Sequence, residues 1–164
     1  MRSSLWAFSF RRMLQEYCEQ LYVPTAVAST HAIADNFAAA RTLAGWKTFI
    51  GEHWGEVAVA ARGPNEAQTT IGDAVKVTAQ VFLGNLKRED VLVEIVHGEQ
   101  FSTVMSHPHD VRMTYVRTDA DSVHHYEGEF EPGQTGAHVY GVRVLPHHAG
   151  MLNKHEMALV VWAA

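Results

Sequence analysis

Between Val75 and Val144 the chain repeats one pattern: short stretches of alternating apolar and polar residues, separated by turn-forming residues. The run Val75-Lys76-Val77-Thr78-Ala79-Gln80-Val81 is the clearest case. Successive side chains of a strand point to opposite faces, so a period of two puts the valines on one side and the polar residues on the other. Val91 to Val96, Val111 to Val116, Val123 to Phe130 and His138 to Leu145 follow at similar spacing. Gly84-Asn85, Pro132-Gly133 and Thr135-Gly136 punctuate them as turns. No helical stretch intervenes, so the strands should pair antiparallel. The fold class expected is mainly β: an immunoglobulin-like antiparallel β-sandwich preceded by two α-helices. Tyr140, ahead of Gly141-Val142-Arg143-Val144, is placed like the tyrosine that pins a late strand of such a sandwich to upstream backbone.

The helices precede residue 55. Leu14, Tyr17, Cys18 and Leu21 lie on one face of a helix at i, i+3, i+4 and i+7, and Pro24 is expected to end it. A second helix is expected from Ser29 or Thr30 through Ile33, Phe37, Ala40 and Ala44 towards Ile50, favoured by its alanines and weakened at Gly45. Trp46 and Trp54 are eight residues apart, a little over two helical turns, so both rings should lie near one face. The plain reading is a core stripe that docks the helix; the sharper one is an aromatic platform for sugars. From Val57, Val59 and Ala61 the period becomes that of a strand. The domain expectation is therefore an atypical segment over 1–12, a helical segment over 13–54 and a β-sandwich over 55–164. His97-Gly98-Glu99 and the polar tract from Ser102 to Asp110 read as loops. Met157 to Trp162, almost wholly apolar, reads as a central strand covered on both faces.

The chain has 164 residues, enough for one domain with a real core, and its 47% apolar and 19% charged residues describe a globular protein. A net charge of −5 and the lack of any run of Lys and Arg argue against nucleic acid as a partner. The single cysteine, Cys18, excludes an intrachain disulfide and fits a reducing compartment. No apolar run reaches the roughly 20 residues that span a bilayer. The stretch Met1 to Arg12 superficially resembles a signal peptide, but serine breaks its apolar part and two arginines stand where small residues should precede cleavage. The expected location is cytoplasmic, with no membrane partner.

Histidine is the one excess, with 11 in all. His107-Pro108-His109-Asp110, His124-His125 and His147-His148 invite a metal reading, in which a zinc site needs three or four converging ligands. His124 and His125 on a regular strand point to opposite faces, and neither His-Glu-x-x-His nor Cys-x-x-Cys occurs. No metal ligand is assigned, and a His-rich metal-binding protein is kept as an alternative. There is no Gly-x-Ser-x-Gly elbow and no glycine-rich phosphate loop. Glu127, Glu129 and Glu131 share one face of a strand and read as a solvated edge, and Asp119 and Asp121 suit a turn. No catalytic and no cofactor-binding residue is assigned. If the chain meets a sugar, the residues to carry it are Trp46, Trp54 and Trp162, in a stand-alone carbohydrate-binding module.

One family accounts for the order of several segments. Met13-Leu14-Gln15-Glu16-Tyr17 and Leu21-Tyr22-Val23-Pro24-Thr25-Ala26 resemble the late helix of bacterial, short-type α-glucan phosphorylases. Leu43-Ala44-Gly45-Trp46-Lys47, Gly84 to Val91, Tyr126-Glu127-Gly128, Gly136, Tyr140 to His148 and Leu159 to Ala163 are similar to the segments that follow it there. The resemblance runs from about Met13 to Ala164. It implies the last helices of a catalytic domain plus an accessory β-sandwich, from an enzyme that cleaves α-1,4-glucan with phosphate using pyridoxal phosphate. It also implies that the cofactor lysine and the phosphate and sugar pockets lie in earlier domains, so no cofactor is expected in this chain. Met1 to Arg12 depart from the family. The expectation is a carboxy-terminal fragment, inactive alone, whose partners are the catalytic part of a phosphorylase or a second copy meeting its exposed helices.

Overall fold

A computed structural model describes residues 10–64, 72–133 and 135–163, apart from the side chain of His31. These residues form two compact units. One holds the helices up to Trp46 together with Gly150–Asn153; the other holds Lys47–Ala149 and the chain from Lys154 onward.

In the first unit, α1 (Phe10–Tyr17) passes into a π-helical turn (Cys18–Tyr22) and then into α2 (Val23–His53), whose C-terminal part belongs to the second unit. Pro24 does not end the helix, contrary to expectation. The N–H of Val23 bonds to the Cys18 carbonyl five residues back, and this wider turn takes the chain into Pro24. Proline lacks the donor that a tighter i→i−4 ladder would require, and its ring would clash with the carbonyl four residues before. The break comes later. Ala34 is extended, and Asp35, Asn36 and Phe37 have φ of 48°, 55° and 63°. Asp and Asn adopt the left-handed region more readily than other side chains, so the interruption sits where the sequence opposes it least.

The second unit is the sandwich. After a 3₁₀ turn (Trp54–Glu56) come β1 (Ala58–Arg62), β2 (Val75–Phe82), β3 (Val91–Phe101), β4 (Val104–Arg112), β5 (Thr114–Thr118), β6 (Val123–Phe130), β7 (His138–Pro146) and β8 (Val161–Trp162). They make two four-stranded antiparallel sheets, in the orders β1-β2-β6-β5 and β4-β3-β7-β8. The chain is thus mainly β, two sheets preceded by helices. In β2, Val75, Val77, Ala79 and Val81 are buried while Lys76, Thr78, Gln80 and Phe82 are exposed, as the alternation requires. The sheets meet through Val77, Val81, Ile95, Val142 and Val144, and the His97 ring of one stacks at 4.4 Å on the Phe130 ring of the other. Ile95 packs over Gly128, where a Cβ would lie 2.9 Å from the isoleucine Cδ1.

Three expectations are corrected here. His97-Gly98-Glu99 is no loop: β3 runs to Phe101 and shifts register between His97 and Glu99. Gly98 lies so close to the Ser106 carbonyl that a Cβ would stand 2.5 Å from it, the tolerance a bulge needs. The tract from Ser102 to Asp110 is mostly β4, an edge strand with a largely exposed side-chain row that admits Pro108. The last strand is neither central nor doubly covered. β8 is an edge strand of two residues, and the strand buried on both faces is β3, from Val91 to Gly98.

Candidate functional site

The Tyr140 hydroxyl donates to the Pro64 carbonyl at 3.2 Å, joining β7 to the end of β1. Gly63 leaves room for it, since a Cβ there would lie 2.5 Å from that hydroxyl. Tyr140 is therefore a pin, as its place before Gly141 foretold. The turn at Gly84-Asn85 is held likewise. Gly84 has φ +56°, and Glu56 accepts from the Asn85 N–H at 3.0 Å and the Asn85 side chain at 3.3 Å.

The three tryptophans are differently placed. Trp46 is half-buried. Trp54 is 7% exposed, with its Nε1 buried and without a hydrogen-bond partner. Trp162 on edge strand β8 is 48% exposed and lies beneath the Arg143 guanidinium, 5.6 Å from the ring centre. The histidines are dispersed as well. His125 Nε2 stands 3.0 Å from Asp119 Oδ2, and His124 Nδ1 lies 2.8 Å from Thr118 Oγ1. Asp119 closes the β5–β6 turn by accepting from the N–H groups of Asp121 and Val123, and its bond to His125 is the main reason its carboxyl sits below the usual aspartate range. Among the described residues no three His, Cys, Asp or Glu side chains gather as a metal would need. Glu127 and Glu129 are exposed on β6, an interior strand of its sheet, so they line a solvated face and not an edge.

Two constellations arise only in three dimensions. The first is ionic. Glu94 on β3, 4% exposed, accepts from Arg143 Nε at 3.1 Å, Arg143 Nη2 at 2.8 Å and Lys154 Nζ at 2.8 Å. Asp110 on β4 bonds to the same Lys154 and stands 3.4 Å from Arg143. Two cations and two carboxylates alternate, so the charges cancel on the covered face of β3. Burial alone would lower the Lys154 pKa, but its hydrogen bonds to Asp110 and Glu94 raise it, and the Lys154 bond holds Asp110 low. This is a clamp on the sheet.

The second is a pocket of about 450 Å³ where the chain leaves β4 for β5, crossing from one sheet to the other. Arg88, Arg112, Thr114, Tyr115 and Tyr126 line it with Glu89. The Arg88 guanidinium lies 4.4 Å over the Tyr115 ring, and its Nε and Nη2 donate to Glu89 Oε1 at 3.2 and 2.8 Å. Tyr115 packs edge-on to Tyr126 at 5.8 Å and is fixed by a hydrogen bond to Thr118 at 2.8 Å. Tyr126 is 5% exposed and its hydroxyl has no partner. Burial pushes that phenol up to about 12, against the pull of the Arg88 and Arg112 charges. An orphaned buried hydroxyl costs about 1–3 kcal/mol, so the site carries an unmet demand for an acceptor. Sequence reading singled out none of these residues as a site. Arg88 and Tyr126 entered only within family segments, because the register shift between Tyr115 and Arg117 and the crossover at Met113 that join them leave no periodic trace.

The helical unit offers a different surface. Leu14, Tyr17, Leu21, Val23 and Val27 are all exposed, Leu21 by 53%, and no residue of α1 is buried. Leu14, Tyr17 and Leu21, at i, i+3 and i+7, form a row on one face, and an exposed apolar row marks an interaction surface.

Comparison with known proteins gives a consistent result. Residues 54–164 match the family described as glycogen phosphorylase C-terminal domain. The chain is 30% identical over 155 residues to the glycogen phosphorylase of Mycobacterium bovis, an alignment covering 93% of this chain and 18% of that protein. It is 28% identical over 160 residues to the maltodextrin phosphorylase of Thermococcus litoralis, covering 94% of this chain and 18% of that one. The chain thus spans 18% of the length of these relatives.

Proposed function

The chain belongs to the glycogen phosphorylase C-terminal domain family, and we propose that it is the accessory, non-catalytic end of a cytoplasmic α-1,4-glucan phosphorylase. In this reading the sandwich is a rigid appendage and the helical segment is its attachment. The apolar row of Leu14, Tyr17 and Leu21 docks on the catalytic body of such an enzyme, or on a second copy where that body is missing. Pyridoxal phosphate and the reacting groups belong to that body. The observation that carries the reading is this exposed row in a chain whose sandwich closes its own core.

The test is phosphorolysis. The purified chain, incubated with maltoheptaose and phosphate, is expected to release no glucose 1-phosphate; release at a rate proportional to the chain's concentration would overturn the assignment. A second reading, glucan contact at Trp162, is favoured by the exposure of that ring, whereas Trp54 is buried and offers no face to a sugar. Maltoheptaose should then change the tryptophan fluorescence of the parent chain and leave Trp162→Ala unaffected. A flat titration of the parent rejects this reading.

A further inference from the structure

We propose that the pocket between Arg88, Arg112, Thr114 and Tyr126 binds a small phosphate-class oxyanion, either as the free ion or as the phosphate group of a phosphomonoester. The polar groups of the pocket are lopsided. Two guanidiniums, a threonine hydroxyl and a buried tyrosine hydroxyl can donate, while the one carboxylate, Glu89, is already engaged by Arg88. A neutral polyol presents donors and acceptors in equal number and would leave its own donors unmet here. A phosphate-class oxyanion presents mainly acceptors and suits a lining dominated by donors.

The site is also built in advance. Arg88 is clamped between Glu89 and the Tyr115 ring, so little side-chain freedom remains to be lost when a ligand arrives. Its Nη1 edge is left for the ligand. The Tyr126 phenol is protonated throughout the neutral range and, buried without a partner, has its proton to donate. Arg88 and Arg112 both line the pocket, so two cationic side chains border one cavity. A volume of about 450 Å³ lies within the range of small-molecule sites and leaves room for a body attached to the anion. This inference is independent of where the helices dock.

The experiment is calorimetric titration of the full chain in phosphate-free, low-salt buffer, with inorganic phosphate, glucose 6-phosphate and glucose as separate titrants. Saturable one-site binding of inorganic phosphate or of the phosphorylated sugar is expected, weakening as sodium chloride is added. Equal affinity for the two assigns the free ion, and tighter binding of the sugar phosphate assigns the ester; each supports the site. Arg88→Gln, at an exposed position, should lower affinity about tenfold or more, the loss of a charge-assisted hydrogen bond. Tyr126→Phe, which removes one oxygen and keeps the ring, should lower it about threefold or more. Circular dichroism of both variants should match the parent. Absence of heat beyond dilution for both anions, glucose binding as tightly as its phosphate, or anion affinity unchanged in both variants would each overturn the site.

Discussion

The helical unit and the sandwich treat their apolar residues in opposite ways. In the sandwich Val77, Val81, Ile95, Val142 and Val144 are at most 1% exposed, and even the charged Glu94 is buried with its partners. In the helical unit Phe10, Leu14, Leu21, Val23 and Val27 stand in solvent. Both segments are rich in apolar residues, so composition does not separate them. Closure does. Each sheet has a second sheet to cover it, whereas α1 buries none of its own residues. Sandwich stability is intrinsic, and the helices need a surface from outside their unit to become equally stable.

The sharpest way to break that contrast is a pair of truncations. Ile95→Ala empties a site between the sheets and should cost about 2–5 kcal/mol in urea unfolding followed by tryptophan fluorescence. Leu21→Ala, of similar size but on an exposed face, should change stability by less than about 0.5 kcal/mol. Equal costs would mean that the exposed row is already covered in the free chain. The next largest effect concerns Glu94. Glu94→Gln leaves Arg143 and Lys154 on a covered face with only Asp110 to compensate them, and should cost about 3 kcal/mol. A loss under 1 kcal/mol would show that water reaches the clamp, and that this face of β3 is less closed than its burial indicates.

How much of this could be read from the residues divides along the same line. β2 was legible because it has one face in the core and one in solvent, which writes a period of two into the sequence. The doubly covered β3 and the polar edge β4 lose that alternation for opposite reasons, so their join at His97-Gly98-Glu99 reads as loop. Met157 to Trp162 misleads in the reverse direction. Its residues are apolar, yet only Val161 and Trp162 form a strand, against β7 at the sheet edge. Pro24 signals a helix end, but a widened turn can absorb a proline, and whether it does is decided by geometry that residue type does not carry. The pocket was invisible for a further reason. Arg88, Arg112 and Tyr126 come from three elements, and only the crossing of the chain between sheets brings them together.

The smallest predicted effect probes the sandwich from inside, through acid. His97 is buried against Phe130, and desolvation, reinforced by the nearby His109 and His138, holds its pKa below the ordinary 6.5. His124 is shifted the same way, chiefly by burial. For a base with a folded pKa below its unfolded value, the unfolded chain takes up the proton first. Stability is therefore complete above the unfolded pKa, falls as pH drops through about 6.5, and levels off below the folded pKa. The carboxylates act later. Asp110 and Asp119 have lowered pKa values, so their contributions persist until pH falls below the usual aspartate range near 3.8. Urea midpoints should thus decline in two stages, one beginning as pH falls below about 6.5 and another below about pH 4. His97→Phe keeps the stack on Phe130 and removes its titration, so it should shrink the first stage to the share of His124 while leaving the second in place. An unchanged first stage in that variant would mean that the proton-sensitive group lies elsewhere, and that His97 is wetter than its place between the sheets implies.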